Sequence, residues 1–192
     1  MNDIMLTSIS KYFGEKEVLN NFSARILSGE INCIFAPSGA GKTTLLNILM
    51  GFVRSDSGSI TGLDSLQKSA VFQEDRLCEN LTAITNILLV APSCSSKIIL
   101  EAMYAIGLTN CDKQPVSELS GGMKRRVAIL RALLSDYDIL FLDEPFKGLD
   151  MPTKALVIEY VNRCVKGKTV VLVTHDIEEA NSMHAKHFLY LN

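Results

Sequence analysis

Two hydrophobic rhythms alternate along these 192 residues. Short apolar runs bounded by Gly, Ser, Asn and Asp predict strands at residues 5–10, 18–26 and 31–36. From residue 43 to 50 the period changes: Leu45, Leu46, Ile48 and Leu49 recur at helical spacing and Gly51 closes the run. Two further strands are expected at 58–61 and 69–73, then helices at about 82–90 and 97–106, separated by Pro92 and its serines. After a hinge at Pro115 the pattern predicts a helix over 122–134, a strand at 139–142, a helix at 153–165, a strand at 169–173 and a last strand near 187–191. Continuous apolar strands alternating with helices indicate an α/β domain with a mainly parallel sheet covered on both faces. Residues 75–115 read as a helical lobe inserted between core segments 1–74 and 116–192 of a single domain.

Composition narrows the picture. The length suits one domain with a sizeable core. A net charge of -2 gives no basic footprint, so nucleic acid is not expected as a partner. The local cluster Lys124-Arg125-Arg126 reads as a solvated helix face. Cys33, Cys78, Cys94, Cys111 and Cys164 are scattered singly, which suits reduced thiols in a cytosolic protein better than a zinc site. His184 and His187 form an H-x-x-H pair without a third ligand, so a surface role is expected. The amino terminus has no basic region followed by an apolar one, and no run approaches the roughly 20 apolar residues that span a bilayer. A transport role would therefore need a separate membrane subunit.

Chemistry enters where strand gives way to helix. The segment Ala36-Pro37-Ser38-Gly39-Ala40-Gly41-Lys42-Thr43, followed by Thr44, matches the phosphate loop G-x-x-x-x-G-K-[ST] at every fixed position but the first. Glycines let successive N–H groups curl around phosphate oxygens at the positive end of the next helix. Lys42 suits a bridge between the β- and γ-phosphates of ATP, and the Thr43 hydroxyl suits Mg²⁺. Ala36 is harmless only if that position keeps ordinary strand geometry, because alanine tolerates positive φ poorly. In the second acidic element, the strand ending Phe141-Leu142 delivers Asp143 and Glu144 at its carboxyl end, where ligands of open α/β sheets bind. Asp143 suits a Mg²⁺ ligand and Glu144 the polarisation of an attacking water.

A third segment, Leu119-Ser120-Gly121-Gly122-Met123-Lys124, resembles the signature of the ABC ATPases, usually written LSGGQ, with Met123 in place of glutamine. Ser120 also fits an N-cap on local grounds. The resemblance covers essentially the whole chain and implies a P-loop NTPase (RecA-like) core with a small antiparallel β subdomain and an inserted α-helical subdomain. It implies ATP and Mg²⁺ as cofactors, and places Ser120, Gly121 and Gly122 against the γ-phosphate held by another copy. In the same pattern Gln73 corresponds to the Q-loop glutamine that senses metal and water, Asp150 to the D-loop at the dimer seam, and His175 to the switch histidine. Each alone reads equally as a satisfied polar residue in a turn; their joint order does not. Tyr12 and Phe13 are the candidates for stacking on adenine, with Phe13, just before Gly14, preferred and core packing of either ring an equal alternative.

Residues 71–77 with 81–87, the signature and Asp143-Glu144-Pro145-Phe146 are similar to the nitrate, sulfonate and taurine branch of bacterial importers. What that implies is an ATP-hydrolysing subunit at the inner face of the cell membrane. It would dimerise with a second copy or a homologous ATPase subunit around two ATP and drive integral membrane permease subunits, with a substrate-binding protein as an optional further partner. Residues 74–90 are the candidate permease contact; Leu77, Leu81, Ile84 and Leu88 recur there at helical spacing, with burial inside the lobe an equal reading. The rival functions are a soluble ABC ATPase acting on nucleic acid or the ribosome, and a subunit that binds ATP without turnover. The first usually carries two ATPase domains or a long coiled-coil insertion, and Lys42, Asp143, Glu144 and His175 argue against the second.

Overall fold

A computed structural model describes residues 2–37 and 39–191. Strands β1 (Ile4–Phe13) and β2 (Lys16–Ile26) form a hairpin, and β4 (Ser57–Thr61) pairs with the other edge of β1, giving a three-stranded antiparallel sheet of order β2-β1-β4. Strands β3 (Ile31–Phe35), β5 (Lys68–Val71), β6 (Ile139–Asp143), β7 (Thr169–Thr174) and β8 (His187–Tyr190) form a parallel sheet of order β5-β6-β7-β3-β8. Every residue of the inner strands β6 and β7 is buried, as their unbroken apolar runs require when both faces are covered.

The twofold alternation along those strands divides the interior into two cores. Ile34, Ile139, Phe141, Val171 and Val173 face Leu45, Leu46 and Leu49 of α1 (Lys42–Met50) together with apolar residues of the antiparallel sheet. Cys33, Leu140, Leu142, Val170 and Leu172 face the other way, toward the helices α2 (Ala83–Leu88), α3 (Ser96–Ala105), α4 (Gly121–Leu134) and α5 (Met151–Cys164). Helices α2 and α3 pack against α4, which lies on β5. Leu77, Ile84 and Leu88 of the helical stripe are partly buried against this second core, so most of that stripe is inward packing.

Strand register sets the position of the site. Phe35 pairs with Thr174 and Asp143 with Val173, so the residues that follow β3, β6 and β7 leave the sheet together at the carboxyl ends of its strands. Two local departures from the sequence pattern matter there. β5 ends at Val71, which leaves Gln73 in an exposed loop and not at a strand end. A short helix, α6 (Ile177–Ser182), follows His175; its six residues are too few for a periodic signal, and Asp176 nucleates it by accepting hydrogen bonds from the Glu178 and Glu179 amides.

Candidate functional site

The phosphate loop leaves β3 and closes onto α1. Gly39 and Gly41 have φ of 85° and 89°, and the Ala40 amide donates to the Pro37 carbonyl at 3.3 Å. A Cβ at Gly41 would stand 2.8 Å from the Val18 carbonyl oxygen, so the loop approaches β2 more closely than any other residue permits. Ala36 keeps a negative φ, and its substitution for glycine leaves ordinary backbone geometry. Ser38 lies outside the described residues. Lys42 is only 7% exposed, and its ammonium donates to the Ala36 and Pro37 carbonyls at 2.6 and 2.8 Å. Its charge is thereby held across the mouth of the loop, at a helix end whose cap is a glycine with no side chain to occupy the first amides.

A cavity of about 410 Å³ unites this loop with the acidic turn: Phe13, Gly39, Gly41, Lys42, Thr43, Thr44, Gln73, Asp143 and Glu144 line it. Phe13 is 53% exposed at its rim, whereas the neighbouring Tyr12 hydroxyl donates to Glu17 Oε1 at 2.5 Å and does not line the cavity. Burial, then the charge of Glu144, raises the Asp143 carboxyl above its ordinary value against the opposing pull of Arg125, Lys42 and Lys147. Burial also pushes Glu144 upward, but hydrogen bonds from His175 and Lys147 and their charges outweigh it and leave Glu144 below its ordinary value. Two adjacent carboxylates thus differ in their hold on a proton. His175, exposed after the end of β7, meets this pair at Glu144: its Nδ1 is 3.1 Å from Glu144 Oε1.

The other predicted residues gather elsewhere. Ser120 caps α4, its hydroxyl accepting from the Met123 amide at 3.3 Å. Asp150 caps α5, accepting from the Thr153 amide at 3.0 Å and hydroxyl at 2.9 Å, bonds that hold its carboxyl below the ordinary value. A Cβ on Gly122 would be 3.6 Å from Leu149 Cδ2, so the two helix starts adjoin. Ser120, Gly121, Gly122 and Asp150 do not line the 410 Å³ cavity.

One reading is corrected. Arg125 does not sit on a solvated face: it is 4% exposed, and its guanidinium is spent on backbone carbonyls at both the acidic turn and the Gln73 loop. Arg126 is partly buried and donates to the Ile106 and Gly107 carbonyls at the end of α3. The signal lay in the helical period, since residue 125 stands one turn before the fully buried Ile129.

Residues 19–147 match the ABC transporter family. The chain belongs to that family. It is 38% identical over 181 residues to the aliphatic sulfonates import ATP-binding protein SsuB 1 of Rhodococcus jostii, covering 91% of this chain and 74% of the relative. It is 35% identical over 199 residues to the taurine import ATP-binding protein TauB of Pelagibacter ubique, covering 94% and 75%. The structure superposes on the ATP-binding cassette MJ0796, solved as a dimer in a post-hydrolysis state bound to ADP and Pi, with a TM-score of 0.84 and 30% identity over 98% of this chain and 94% of that one. This ABC protein is an ATP-binding, ATP-hydrolysing subunit of a transporter. Among its described residues no helix is long and apolar enough to cross a membrane.

Proposed function

We propose that this ABC ATPase works as a head-to-tail pair at the cytoplasmic face of a membrane and powers import through separate permease subunits. The observation that carries the reading is the division of one chain into two half-sites. Lys42, Asp143 and Glu144 share a cavity, whereas Ser120, Gly121, Gly122 and Asp150 gather at two adjoining helix starts outside it. A helix start that offers N–H groups to an anion belongs over the γ-phosphate held by another copy's phosphate loop. Either a second copy or a homologous subunit can supply that loop.

Within the cavity Phe13 stacks on adenine, and Pro37, Gly39, Ala40, Gly41 and Thr44 wrap the phosphates, with Ser38 assigned to the same loop by its place in the sequence motif. Lys42 neutralises the β- and γ-phosphates. The oxygens of Thr43, Gln73 and Asp143 form a hard, all-oxygen donor set that fits Mg²⁺ better than a softer metal, and the Asp143 carboxylate, whose charge burial disfavours, gains most from a cation. Bound there, Mg²⁺ would neutralise charge on the phosphates. Glu144 takes a proton from the water that adds to the γ-phosphorus as the bond to ADP breaks, and His175 orients Glu144 and the γ-phosphate.

A groove of about 550 Å³ beside the Gln73 loop supports the permease contact. Met50, Phe52, Ala70, Phe72, Val90 and Arg131 line it, and the Phe52 and Phe72 rings stack 6.0 Å apart on its wall. A substrate-binding protein would deliver cargo to the permease on the far side. Pairing is tested by size-exclusion chromatography with ATP: Ser120→Arg should remain monomeric where wild type dimerises, and an unimpaired dimer contradicts the trans arrangement.

A further inference from the structure

Arg125 is the least exposed charged residue among those described, at 4%, and sits on α4, the helix whose start is the Ser-Gly-Gly segment. Its guanidinium reaches two other elements at once. Toward the acidic turn, Nε donates to the Pro145 carbonyl at 2.8 Å, and Nη2 to the carbonyls of Asp143 and Glu144 at 2.9 and 2.6 Å. Toward the Gln73 loop, Nη1 donates to the carbonyls of Phe72 and Gln73 and to Asp75 Oδ1, the last at 3.1 Å. Five N–H donors in a rigid planar fork are all used, and none points at the phosphate loop.

The turn it holds is strained. Glu144 has φ of 45°, a left-handed conformation that a residue with a Cβ keeps only when its surroundings over-determine it. Three bonds do so here: the Glu144 amide donates to the Val173 carbonyl at 2.9 Å, and its own carbonyl accepts from the Lys147 amide at 3.2 Å and from Arg125 at 2.6 Å. Farther along α4, Arg131 donates to the carbonyls of Asp75 and Arg76, so the same helix grips the Gln73 loop twice.

We infer that Arg125 is a positioning residue that locks the Glu144 turn and the Gln73 loop to the helix carrying the Ser120 segment, so that a displacement of that helix moves both together. The inference rests on Glu144 acting as the base in hydrolysis. Arg125 donates no hydrogen bond to the phosphate loop, so its loss leaves Lys42 and the loop amides in place and acts on turnover more than on ATP affinity. Lysine keeps the charge but, as a single ammonium, cannot hold two opposed sets of carbonyls.

The test uses the full chain with Arg125→Lys, Arg125→Met and, to weaken the Gln73 side alone by removing one of its three acceptors, Asp75→Ala. Hydrogen–deuterium exchange without nucleotide is read at residues 143–147, 72–76 and 39–44, alongside kcat, KM and ATP binding. Arg125→Lys and Arg125→Met should speed exchange at both 143–147 and 72–76, leave 39–44 unchanged, and lower kcat about tenfold or more with the ATP Kd within about twofold. Asp75→Ala should loosen 72–76 only. Unchanged kcat per folded molecule in Arg125→Lys, or faster exchange across the whole chain with ATP affinity lost in step, overturns the inference. Should Arg125→Met fail to fold, Arg125→Lys and Asp75→Ala decide it. The exchange pattern is independent of whether Glu144 is the base, so failure of that assignment is recognised separately, by turnover in Glu144→Gln.

Discussion

His175 Nδ1 lies 3.1 Å from Glu144 Oε1, which ties the residue after β7 to the residue after β6 across the parallel sheet. The contact and the nearby Lys147 ammonium, 3.3 Å from Glu144 Oε2, keep this carboxylate ionised in a partly buried place. A group held below its ordinary value stays charged throughout the neutral range, and the stability it contributes is lost only as pH falls through that lowered value.

Glu144→Gln preserves the size of the side chain and its hydrogen-bonding reach but removes the proton acceptor. Phosphate release should fall at least about a hundredfold, the scale of a lost general base, while ATP binding persists. Equal release rates in mutant and wild type would take Glu144 out of the mechanism.

Asp143 has the opposite sign. Its carboxyl is raised by burial and by Glu144, so in the absence of nucleotide and metal its ionisation disfavours the folded state. The favourable contribution is present at low pH and is lost as pH rises through the raised value. Asp143→Asn should therefore stabilise the nucleotide-free chain at pH 7 by about 0.5–2 kcal/mol while abolishing turnover. Thermal melts at pH 7 and pH 4 check it: a gain that does not shrink in acid argues against a charge effect.

The Lys42 ammonium is already desolvated and aimed by two carbonyls. Lys42→Ala should weaken ATP binding by about tenfold to a hundredfold, the range of a charge-assisted hydrogen bond to phosphate. Calorimetric titration with ATP reads the loss, and affinity within about twofold of wild type would separate Lys42 from the phosphates.

Gly41 joins the phosphate loop to the antiparallel sheet. With φ of 89° and a Cβ position 2.8 Å from the Val18 carbonyl, Gly41→Ala meets both backbone strain and a clash. A loss of more than about 1 kcal/mol is expected in denaturant unfolding. A neutral result would mean that the loop relaxes away from β2 without penalty.

Local chemistry made the nucleotide half of this protein legible in one dimension. The phosphate loop needs consecutive residues at a strand–helix junction, and the acidic turn needs an apolar strand followed by two carboxylates, so both are written in contiguous segments. The continuous apolar strand runs likewise announced a covered parallel sheet, because burial on both faces leaves no polar alternation. Residues whose roles depend on other elements were less visible. In the sequence Phe13 is set apart from Tyr12 only by the Gly14 that follows it; the hairpin makes the difference physical by turning the Phe13 ring to the cavity and pairing Tyr12 with Glu17. Arg125 looked like one member of a solvated basic run, since a charge is ordinarily expelled from a core. Only the tertiary structure brings the carbonyls of residues 72–73 and 143–145 around it, and a buried guanidinium is tolerated only where such distant acceptors converge.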